Sequence, residues 1–497
     1  MSRRVLVIGL DCAPPELIFN RFKNDLPTIR SLIETGLYGP LKSTIPAITV
    51  PAWMSMVTSK DPGTLGFYGL RNRANYSYDQ MDIANARLVK DDTLWDILSA
   101  HDKKVILVGV PQTYPPRPVN GCLISSFLTP SNDSNYTYPI SLKDEIERVA
   151  DGYMIDVRDF RTNDKPRLLQ QIYDMTKKRF TVTRHLMQTR EWDFCMHVEM
   201  GTDRIHHGFW RFLDETHRKY DPNSEFIHAI RDYYKYLDGE IASLIDLAGK
   251  DTTILLVSDH GAKRIDGGIC INEWLIQNGY LTLKTTPDTI TPFEKLDVDW
   301  SKTTAWGAGG YYSRIFINVK GRESEGLIDP TEYDTCLNIL TKQLKQIPDI
   351  AGHPIPTQVF RPGDIYHTVN NIPPDLIIYF GDLLWRSIGS VGHNAIHTLE
   401  NDIGPDDANH AQHGIFILND GIHQGHPSHL DIRDVAPTVL ASLNIPIPSD
   451  MQGHSALGTT ASSETEHTHL SDTTTDDVYT EDEKKALEDR LKSLGYL

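Results

Sequence analysis

Seven side chains of the chain are of types that could form two adjacent metal sites with a hydroxyl nucleophile between them. In chain order they are Asp11, Thr49, Asp203, His207, Asp259, His260 and His410. Two neighbouring cations can hold a phosphate ester and polarise both its attacking and its leaving oxygen. The residues therefore predict an enzyme that handles phosphate groups, with two divalent metal ions as cofactors.

Charge and length limit the partners of such an enzyme. The 497 residues suffice for one large α/β domain with insertions, and the formal net charge is −18. This charge repels polyanions and anionic lipid surfaces, so we expect neither a nucleic-acid-coating role nor a membrane role. A small phosphate-ester substrate stays compatible, because bound cations would dominate the potential inside their own cleft.

The N-terminal segment and the cysteines indicate the compartment. Met1–Arg4 leads directly into the apolar run Val5–Ile8, which is too short for the core of a signal peptide. The five cysteines are odd in number and lack C-x-x-C spacing, so neither a disulfide framework nor a thiolate zinc site is indicated. These features predict a cytoplasmic protein.

Short apolar runs alternate with segments of helical spacing, which is typical of a largely parallel sheet. The runs are Val5–Ile8, Val105–Val110, Phe194–Val198, Thr252–Val257, Leu376–Phe380 and Ile415–Leu418. An amphipathic helix is predicted over Ser224–Leu247, capped by Ser224 and ended near Gly249. Ligand sites of such sheets lie beyond the carboxyl ends of the strands, so distant motifs can converge there.

The catalytic domain is predicted to cover residues 1–458 and to contain two cap-type insertions. They lie at about 72–165 and 270–374, and the second includes Gly307–Gly310 and a strand at Arg314–Val319. Insertions of this kind commonly form the wall that faces the substrate.

The C-terminal residues have a different composition. Residues 459–479 are polar and lack material for a core, which predicts a flexible linker. A helix is predicted over 480–497, where Leu487, Leu491 and Leu494 share one face. We expect this helix either to dock on the body or to mediate self-association into a homo-oligomer.

Each chemical motif also has an ordinary structural explanation. On a helix, Asp203 and His207 would face one cation, but an exposed ion pair or a helix cap fits equally well, and His206 is an alternative ligand. Asp259 and His260 follow an apolar strand, where an ordinary turn often carries such residues.

The threonine and the last histidine are ambiguous in the same way. Thr49 precedes a predicted helix at Pro51–Met56 and could simply cap it. The same position favours phosphate binding, since backbone N–H groups and the helix dipole lie there. His410 is one of 20 histidines, so the functional interpretation depends on the combination.

In combination, the motifs resemble the alkaline phosphatase superfamily, specifically its type I phosphodiesterase/nucleotide pyrophosphatase branch and a group of phosphohydrolases and phosphomutases. The matching segments are Val7–Asp11, Ser43–Trp53, Ser258–Gly261, Gly321–Gly326, Asp434–Leu440 and Asp450–Gly453. The resemblance implies an alkaline-phosphatase-like three-layer α/β sandwich with a mostly parallel central sheet, helices on both faces and inserted cap segments.

The resemblance also implies roles. Thr49 would attack phosphorus and form a phosphothreonine, with the Val50 backbone N–H as an extra donor to the developing charge. The implied ligands are Asp203, His207 and His410 for one metal, and Asp11, Asp259 and His260 for the other, with Thr49 bridging toward the phosphate. The ions in the resembling enzymes are usually zinc, with manganese in some mutases, and these ligands suit either.

The substrate-binding residues are the weakest match. Where the family places a phosphate-binding asparagine, counting lands on Leu70, beside Arg71, Asn72 and Arg73. Either Asn72 takes that role after a small shift, or Arg71 and Arg73 clamp a more highly charged phosphate. Equally, both arginines could be exposed loop residues with no substrate role.

The first functional hypothesis is therefore a hydrolase of phosphodiesters or pyrophosphates, with a nucleotide as one expected substrate. The alternative is a phosphomonoesterase or a phosphomutase acting on a small phosphorylated metabolite; a mutase would need a cap that retains its substrate. A metal-binding scaffold without turnover is less compatible with the complete ligand set.

Overall fold

The structure, a computed structural model, describes residues 4–458, 462–463 and 478–493. Its strands are β1 (Arg4–Leu10), β2 (Leu37–Lys42), β3 (Arg71–Arg73), β4 (Met81–Ile83), β5 (Val105–Val108), β6 (Gly121–Ile124), β7 (Thr137–Tyr138), β8 (Phe194–Glu199), β9 (Thr252–Val257), β10 (Gly261–Arg264), β11 (Gly267–Cys270), β12 (Ala305–Ala308), β13 (Ser313–Ile317), β14 (Gln358–Phe360), β15 (Leu376–Tyr379), β16 (Trp385–Ile388), β17 (His397–Thr398), β18 (Ala408–Ala411), β19 (His413–Asn419), β20 (Ile447–Pro448) and β21 (Ser462–Ser463). Its α-helices are α1 (Pro27–Thr35), α2 (Thr49–Thr58), α3 (Pro62–Leu65), α4 (Leu94–Ala100), α5 (Leu142–Ala150), α6 (Lys165–Thr189), α7 (Gly201–Leu213), α8 (Ala229–Ala248), α9 (Ile271–Gln277), α10 (Tyr333–Leu344), α11 (Pro362–Ile365), α12 (Val435–Ser442) and α13 (Glu481–Ser493).

The central sheet has the strand order β2-β19-β9-β1-β8-β5-β6-β7. Strands β9, β1, β8, β5 and β6 run parallel, whereas β19 is antiparallel to both of its neighbours and β7 is antiparallel to β6. All residues of β8 and β9 are buried, as expected for strands covered on both faces. The predicted α/β fold with a mostly parallel sheet is confirmed.

Two groups of helices cover this sheet. Helices α6, α7 and α8 pack against one another, with α6 on β5 and β8 and with α8 on β1. Helix α12 packs against α2 and α4, and α4 contacts β5. The apolar side chains of both groups belong to one continuous core with the sheet.

A second sheet, with the order β12-β13-β15-β14, is antiparallel and has a core of its own. The predicted strand Leu376–Phe380 lies here as β15 and not in the central sheet. The prediction was wrong because a short apolar run does not specify which sheet it joins, and β13 and β14 are the partners that bury it. The second core extends over 269–385, beyond the predicted insertion 270–374.

The other predicted insertion, 72–165, is only partly a surface segment. It contains the hairpin of β3 and β4, but it also contains β5, β6 and β7 of the central sheet. The reason is the buried apolar run Val105–Val108, which pairs in parallel with β8.

The amphipathic helix predicted over Ser224–Leu247 begins later, at Ala229, and ends at Ala248. Ser224 does not cap it, because its hydroxyl accepts a hydrogen bond from the Phe226 N–H, 3.3 Å away, in a preceding turn. The predicted end is correct, and Gly249 follows with a φ of 79°.

The C-terminal helix α13 docks on the main body. Leu487 and Leu491 are buried in the main core, and the Tyr479 ring stacks on that of Tyr114 with centroids 5.7 Å apart. Leu494 and most of the predicted linker 459–479 lie outside the described residues.

In the part of the chain that the structure describes, no helix has both the length and the apolar character needed to cross a bilayer.

A close approach between β1 and α2 yields a stability prediction. A Cβ added at Gly9 would lie 2.3 Å from Cη2 of the buried Trp53 and 3.1 Å from Cγ2 of Val198. We expect Gly9→Ala to lower the free energy of unfolding by about 1–3 kcal/mol through overpacking, measured by urea denaturation.

The matched control is Gly239→Ala in α8, where an added Cβ meets no atom within 4 Å. Alanine there should be neutral or stabilising by up to about 1 kcal/mol. Equal stability of the two variants would contradict the packing argument.

Candidate metal centre and nucleophile

Three parallel strands deliver carboxylates to one edge of the central sheet. Asp11 follows β1, helix α7 with Asp203 follows β8, and Asp259 follows β9. Strand β1 lies between β8 and β9 in register, and the Asp11 N–H donates to the Glu199 carbonyl, 3.0 Å away. The carboxyl ends therefore meet, as the strand order requires.

The first potential ligand group consists of Asp11, Asp259 and His260, whose ligand atoms all lie within 4.8 Å of one another. His260 Nε2 is 3.2 Å from Asp259 Oδ2 and 4.0 Å from Asp11 Oδ1. The other carboxylate oxygens are held in place, since Trp53 Nε1 donates to Asp11 Oδ2 (2.7 Å) and the Cys12 N–H donates to Asp259 Oδ1 (3.1 Å).

The second group consists of Cys12, Asp203, His207 and His410, again within 4.8 Å. Asp203 and His207 share one face of α7, and His207 Nε2 is 3.2 Å from Asp203 Oδ1. His410 comes from β18, which pairs with β10, and its Nε2 is 3.8 Å from the same oxygen. The two groups adjoin, because the His260 and His410 rings stack 3.9 Å apart.

Several buried atoms of these groups have no hydrogen-bond partner among the described residues. They are Asp11 Oδ1, Asp203 Oδ1, Asp259 Oδ2, His207 Nε2 and His410 Nε2. Buried polar atoms are normally paired, so their convergence indicates a ligand that the protein itself does not supply. Carboxylate and imidazole donors in this arrangement fit two divalent cations.

The electrostatics differ among the ligands. Burial would lower the pKa of His207, but the Asp406 and Asp203 carboxylates outweigh it and raise that pKa to about 9, so a cation there would displace a proton. Burial, followed by the Asp203 carboxylate, raises the pKa of Asp11, and burial, followed by Asp11, raises that of Asp259. Burial lowers the pKa of His260 to about 4 and also lowers that of His410, so both imidazoles are neutral and able to bind a cation.

The geometry distinguishes between the alternatives that the sequence left open for Asp203, His207 and His206. Asp203 and His207 are buried rather than exposed, and Asp203 is the third residue of α7 and not its cap. His206 lies outside both groups, and its Nε2 is 3.1 Å from the Tyr234 hydroxyl.

Thr49 is the first residue of α2, buried, with its Oγ1 3.4 Å from His260 Nε2. Ile48 occupies the cap position and no side chain caps the helix, so Thr49 is not an ordinary N-cap. The N–H of Val50 belongs to the first helical turn, where backbone donors lack intrahelical acceptors. The Thr49 hydroxyl thus lies beside the first ligand group.

Sequence reasoning missed residues that orient the ligands. Asp406 Oδ1 lies 2.8 Å from His207 Nδ1, and the Arg161 guanidinium is 2.6 Å from Asp406 Oδ2. Burial would raise the pKa of Asp406, but Arg161 and His207 outweigh it and hold the pKa below its usual value. In the sequence, the only indication of a role for Asp406 was its position four residues before His410.

Arg204 holds Asp203 in place through a second set of ion pairs. Arg204 contacts Asp203 Oδ2 and also binds Asp156 through two bonds of 3.0 Å and 2.7 Å. Cys12 was also missed, although it directly follows Asp11.

The predicted substrate-binding residues have different environments. Arg73 is buried and pairs with Glu323 at 2.9 Å, so the structure does not bring its side chain to the site. The Asn72 side chain bonds the backbone of Tyr68 and Gly69 in its own loop. Arg71 alone lines a cleft together with Ile48, the residue before Thr49.

Comparison with known proteins gives a consistent family and fold. A model of the type I phosphodiesterase/nucleotide pyrophosphatase family matches residues 5–415. No curated protein sequence matches the chain significantly.

Among solved structures, phosphonoacetate hydrolase from Sinorhizobium meliloti 1021 in complex with phosphonoformate is similar, with a TM-score of 0.59, 14% identity, and coverage of 89% of this chain and 96% of that chain. Human ectonucleotide pyrophosphatase/phosphodiesterase 5 has a TM-score of 0.53, 12% identity, and coverage of 92% and 98%. An inactive threonine-to-alanine variant of the murine protein, in complex with AMP, has a TM-score of 0.51, 11% identity, and coverage of 89% and 96%. At these identities the similarity shows the fold.

The contact between Asp406 and His207 yields a prediction. Asp406→Asn keeps the side-chain size but removes the charge that orients His207, so we expect metal affinity to fall about 10–100-fold. Titration of the metal-free protein with Zn²⁺ against a competing chelator measures this.

The matched control is Asp420→Asn, which alters another aspartate–histidine pair, with Asp420 Oδ2 2.8 Å from His423 Nδ1. This variant should bind metal as the wild type does. An unchanged affinity in the Asp406 variant would show that His207 needs no such partner.

Proposed function

Because the chain belongs to the type I phosphodiesterase/nucleotide pyrophosphatase family, we propose that it hydrolyses phosphodiesters or pyrophosphates through a phosphothreonine on Thr49. Members of this family are metal-dependent phosphoester hydrolases of the alkaline phosphatase superfamily. The single observation that carries the proposal is the buried Thr49 hydroxyl, 3.4 Å from His260 at the meeting point of two ligand groups.

The proposed reaction has two displacements. Thr49 Oγ1 loses its proton and forms a bond to phosphorus, the bond from phosphorus to the leaving oxygen breaks, and that oxygen takes up a proton. Water then attacks the phosphothreonine from the opposite side, and the threonine oxygen leaves and regains its proton. Divalent cations bound at the two groups would lower the pKa of the hydroxyl and stabilise the departing oxygen.

The chain's own residues position these steps. The Val50 N–H, in the first turn of α2, is the proposed donor to the charge that develops on the phosphoryl oxygens. Trp53 orients Asp11, and the Ala47 carbonyl, 3.1 Å from His410 Nδ1, orients His410. Because these groups are buried, their charges act in a medium of low dielectric constant.

Zinc is the metal that we favour, with manganese as the second choice. Imidazole nitrogen and carboxylate oxygen bind either ion, but the Cys12 thiol lies within 4.8 Å of the second group's ligand atoms. Sulfur close to the site favours the softer ion. A cytoplasmic location stays a prediction from the sequence alone.

A phosphomonoesterase is the second candidate. Arg71, and not an asparagine, lines the cleft next to Ile48, and a guanidinium there favours a substrate that carries more negative charge than a simple diester. The murine relative binds AMP, and its threonine-to-alanine variant is inactive; both facts support a threonine nucleophile and a nucleotide-sized substrate.

A substrate panel tests the reaction class. We expect protein freed of metal by a chelator to be inactive, and protein reloaded with Zn²⁺ to hydrolyse bis(p-nitrophenyl) phosphate and ATP faster than p-nitrophenyl phosphate. Release of nitrophenol and of AMP is measured. Hydrolysis of the monoester alone would favour the second candidate, and no hydrolysis by metal-loaded protein would contradict both.

Replacing the proposed nucleophile tests the mechanism. Thr49→Ala should lower kcat/KM by roughly 10³-fold or more, because the attacking oxygen is lost, while metal content stays near that of the wild type. Thr49→Ser should retain measurable turnover, and acid-trapped protein should carry a phosphoryl group on residue 49.

The control is Thr58→Ala, which removes another buried hydroxyl of α2, one that donates to the Met54 carbonyl at 2.7 Å. Its turnover should resemble that of the wild type. Normal activity of the Thr49→Ala variant would exclude the covalent mechanism.

A further inference from the structure

A cleft lies beside the proposed reaction centre, between the main body and the second sheet. It is lined by Ile48, residues 69–71, residues 309–312 and Arg314. We call it the arginine cleft, because Arg71 and Arg314 contribute its charged side chains.

Arg71 has no close carboxylate partner in the described residues. Its nearest ion-pair contact is Glu294, 3.8 Å away, and the Glu294 side chain is 58% exposed, against 14% for Arg71. The Arg71 Nε is buried without a hydrogen-bond partner. A contact of this length to an exposed group is worth little, so most of the donor capacity of Arg71 is unused.

Arg314 comes from the second sheet and is held against the same loop. Its Nη1 donates to the Arg71 carbonyl at 2.7 Å, and a Cβ added at Gly69 would lie 3.5 Å from that nitrogen. Arg314 forms no ion pair with any described residue. One donor thus anchors the guanidinium, and the others stay available for a ligand.

The Arg71 guanidinium lies in the field of a second cation, Arg314. Burial lowers the pKa of Arg71, and the field of Arg314 lowers it further, whereas Glu294 and Glu488 oppose this effect. The chain has 67 acidic residues against 49 lysines and arginines, yet none forms a close ion pair with these arginines among the described residues. A bound anion would offset the repulsion.

One aromatic side chain, Tyr311, lies between the cleft and the second ligand group. Tyr311 lines the cleft, and the Tyr311 ring lies 4.3 Å from the ring of His410 and 5.0 Å from that of His207. Ile48 forms another part of the lining and directly precedes Thr49. A group in the cleft is therefore next to the reacting phosphorus but not at it.

We propose that Arg71 and Arg314 form a binding site for a second anionic group of the substrate, a carboxylate or a further phosphate beyond the reacting one. This inference rests on the proposed function, because Thr49 defines where the reacting phosphorus lies. It assigns specificity to one residue of the β3–β4 hairpin and one of the second sheet, and it makes Arg314, which the sequence did not indicate, a specificity-determining residue.

The test compares three ligands that share a phosphonate and differ in the second group. Methylphosphonate has none, phosphonoacetate adds a carboxylate, and methylenediphosphonate adds a second phosphonate. Their affinities for zinc-loaded wild-type protein are measured by calorimetry and by competition with hydrolysis of bis(p-nitrophenyl) phosphate. We expect at least one of the two ligands with a second anionic group to bind about tenfold tighter than methylphosphonate, and the preferred second group identifies the natural class.

Arg71→Gln and Arg314→Gln should each reduce that preference about tenfold while leaving the affinity for methylphosphonate within about twofold. Arg314→Lys keeps a charge but not the planar fork and should retain part of the preference. The control is Arg361→Gln, which removes an arginine of the second sheet region that pairs with Asp334 at 3.4 Å and does not line the cleft.

Equal affinity of the wild type for all three ligands, or a preference that survives both glutamine variants, would overturn the inference. Thermal unfolding midpoints identify any variant that fails to fold. If one of the two glutamine variants fails, the ligand preference of the other one tests the inference. Failure of the proposed function has a different signature: bis(p-nitrophenyl) phosphate is not hydrolysed, while calorimetry still reports the ligand preference.

Discussion

Three buried carboxylates, Asp11, Asp203 and Asp259, lie close together at the carboxyl ends of β1, β8 and β9, and the cost of keeping negative charge there, away from water, is the constraint behind the site. Burial and neighbouring carboxylates raise the pKa of Asp11 and Asp259. Divalent cations would remove this cost, since they are the largest local charges in such a site. Metal binding would then also stabilise the folded chain, because the ligands converge only in the native sheet.

Two parts of the molecule meet around this constraint. Helix α2 carries Trp53, which orients Asp11, and also Thr49, so one helix connects a ligand with the proposed nucleophile. The second sheet supplies Tyr311, which stacks on the histidines, and Arg314, which faces the cleft. The proposed chemistry and the proposed specificity would therefore depend on different layers, an arrangement common where loops and insertions surround a rigid sheet.

Much of the fold could be predicted from the sequence. The apolar runs at β1, β8 and β9 are long enough and regular enough to indicate buried parallel strands. Leu376–Tyr379 has a similar composition but joins the other sheet, because pairing partners and not the run itself decide this. The start of α8 was placed too early, since Ser224 can cap a turn as well as a helix.

For the site, the sequence by itself determined the residue types and two local geometries: Asp203 and His207 one helical turn apart, and Asp259 at a strand end. Only the tertiary structure decided that His410 faces His260, that Asp406 orients His207, and that Arg73 is withdrawn into an ion pair. The physical reason is the separation along the chain over which each interaction acts. Helical and strand periodicity act over a few residues and can be read locally, whereas contacts between distant segments depend on sheet order and on packing between layers.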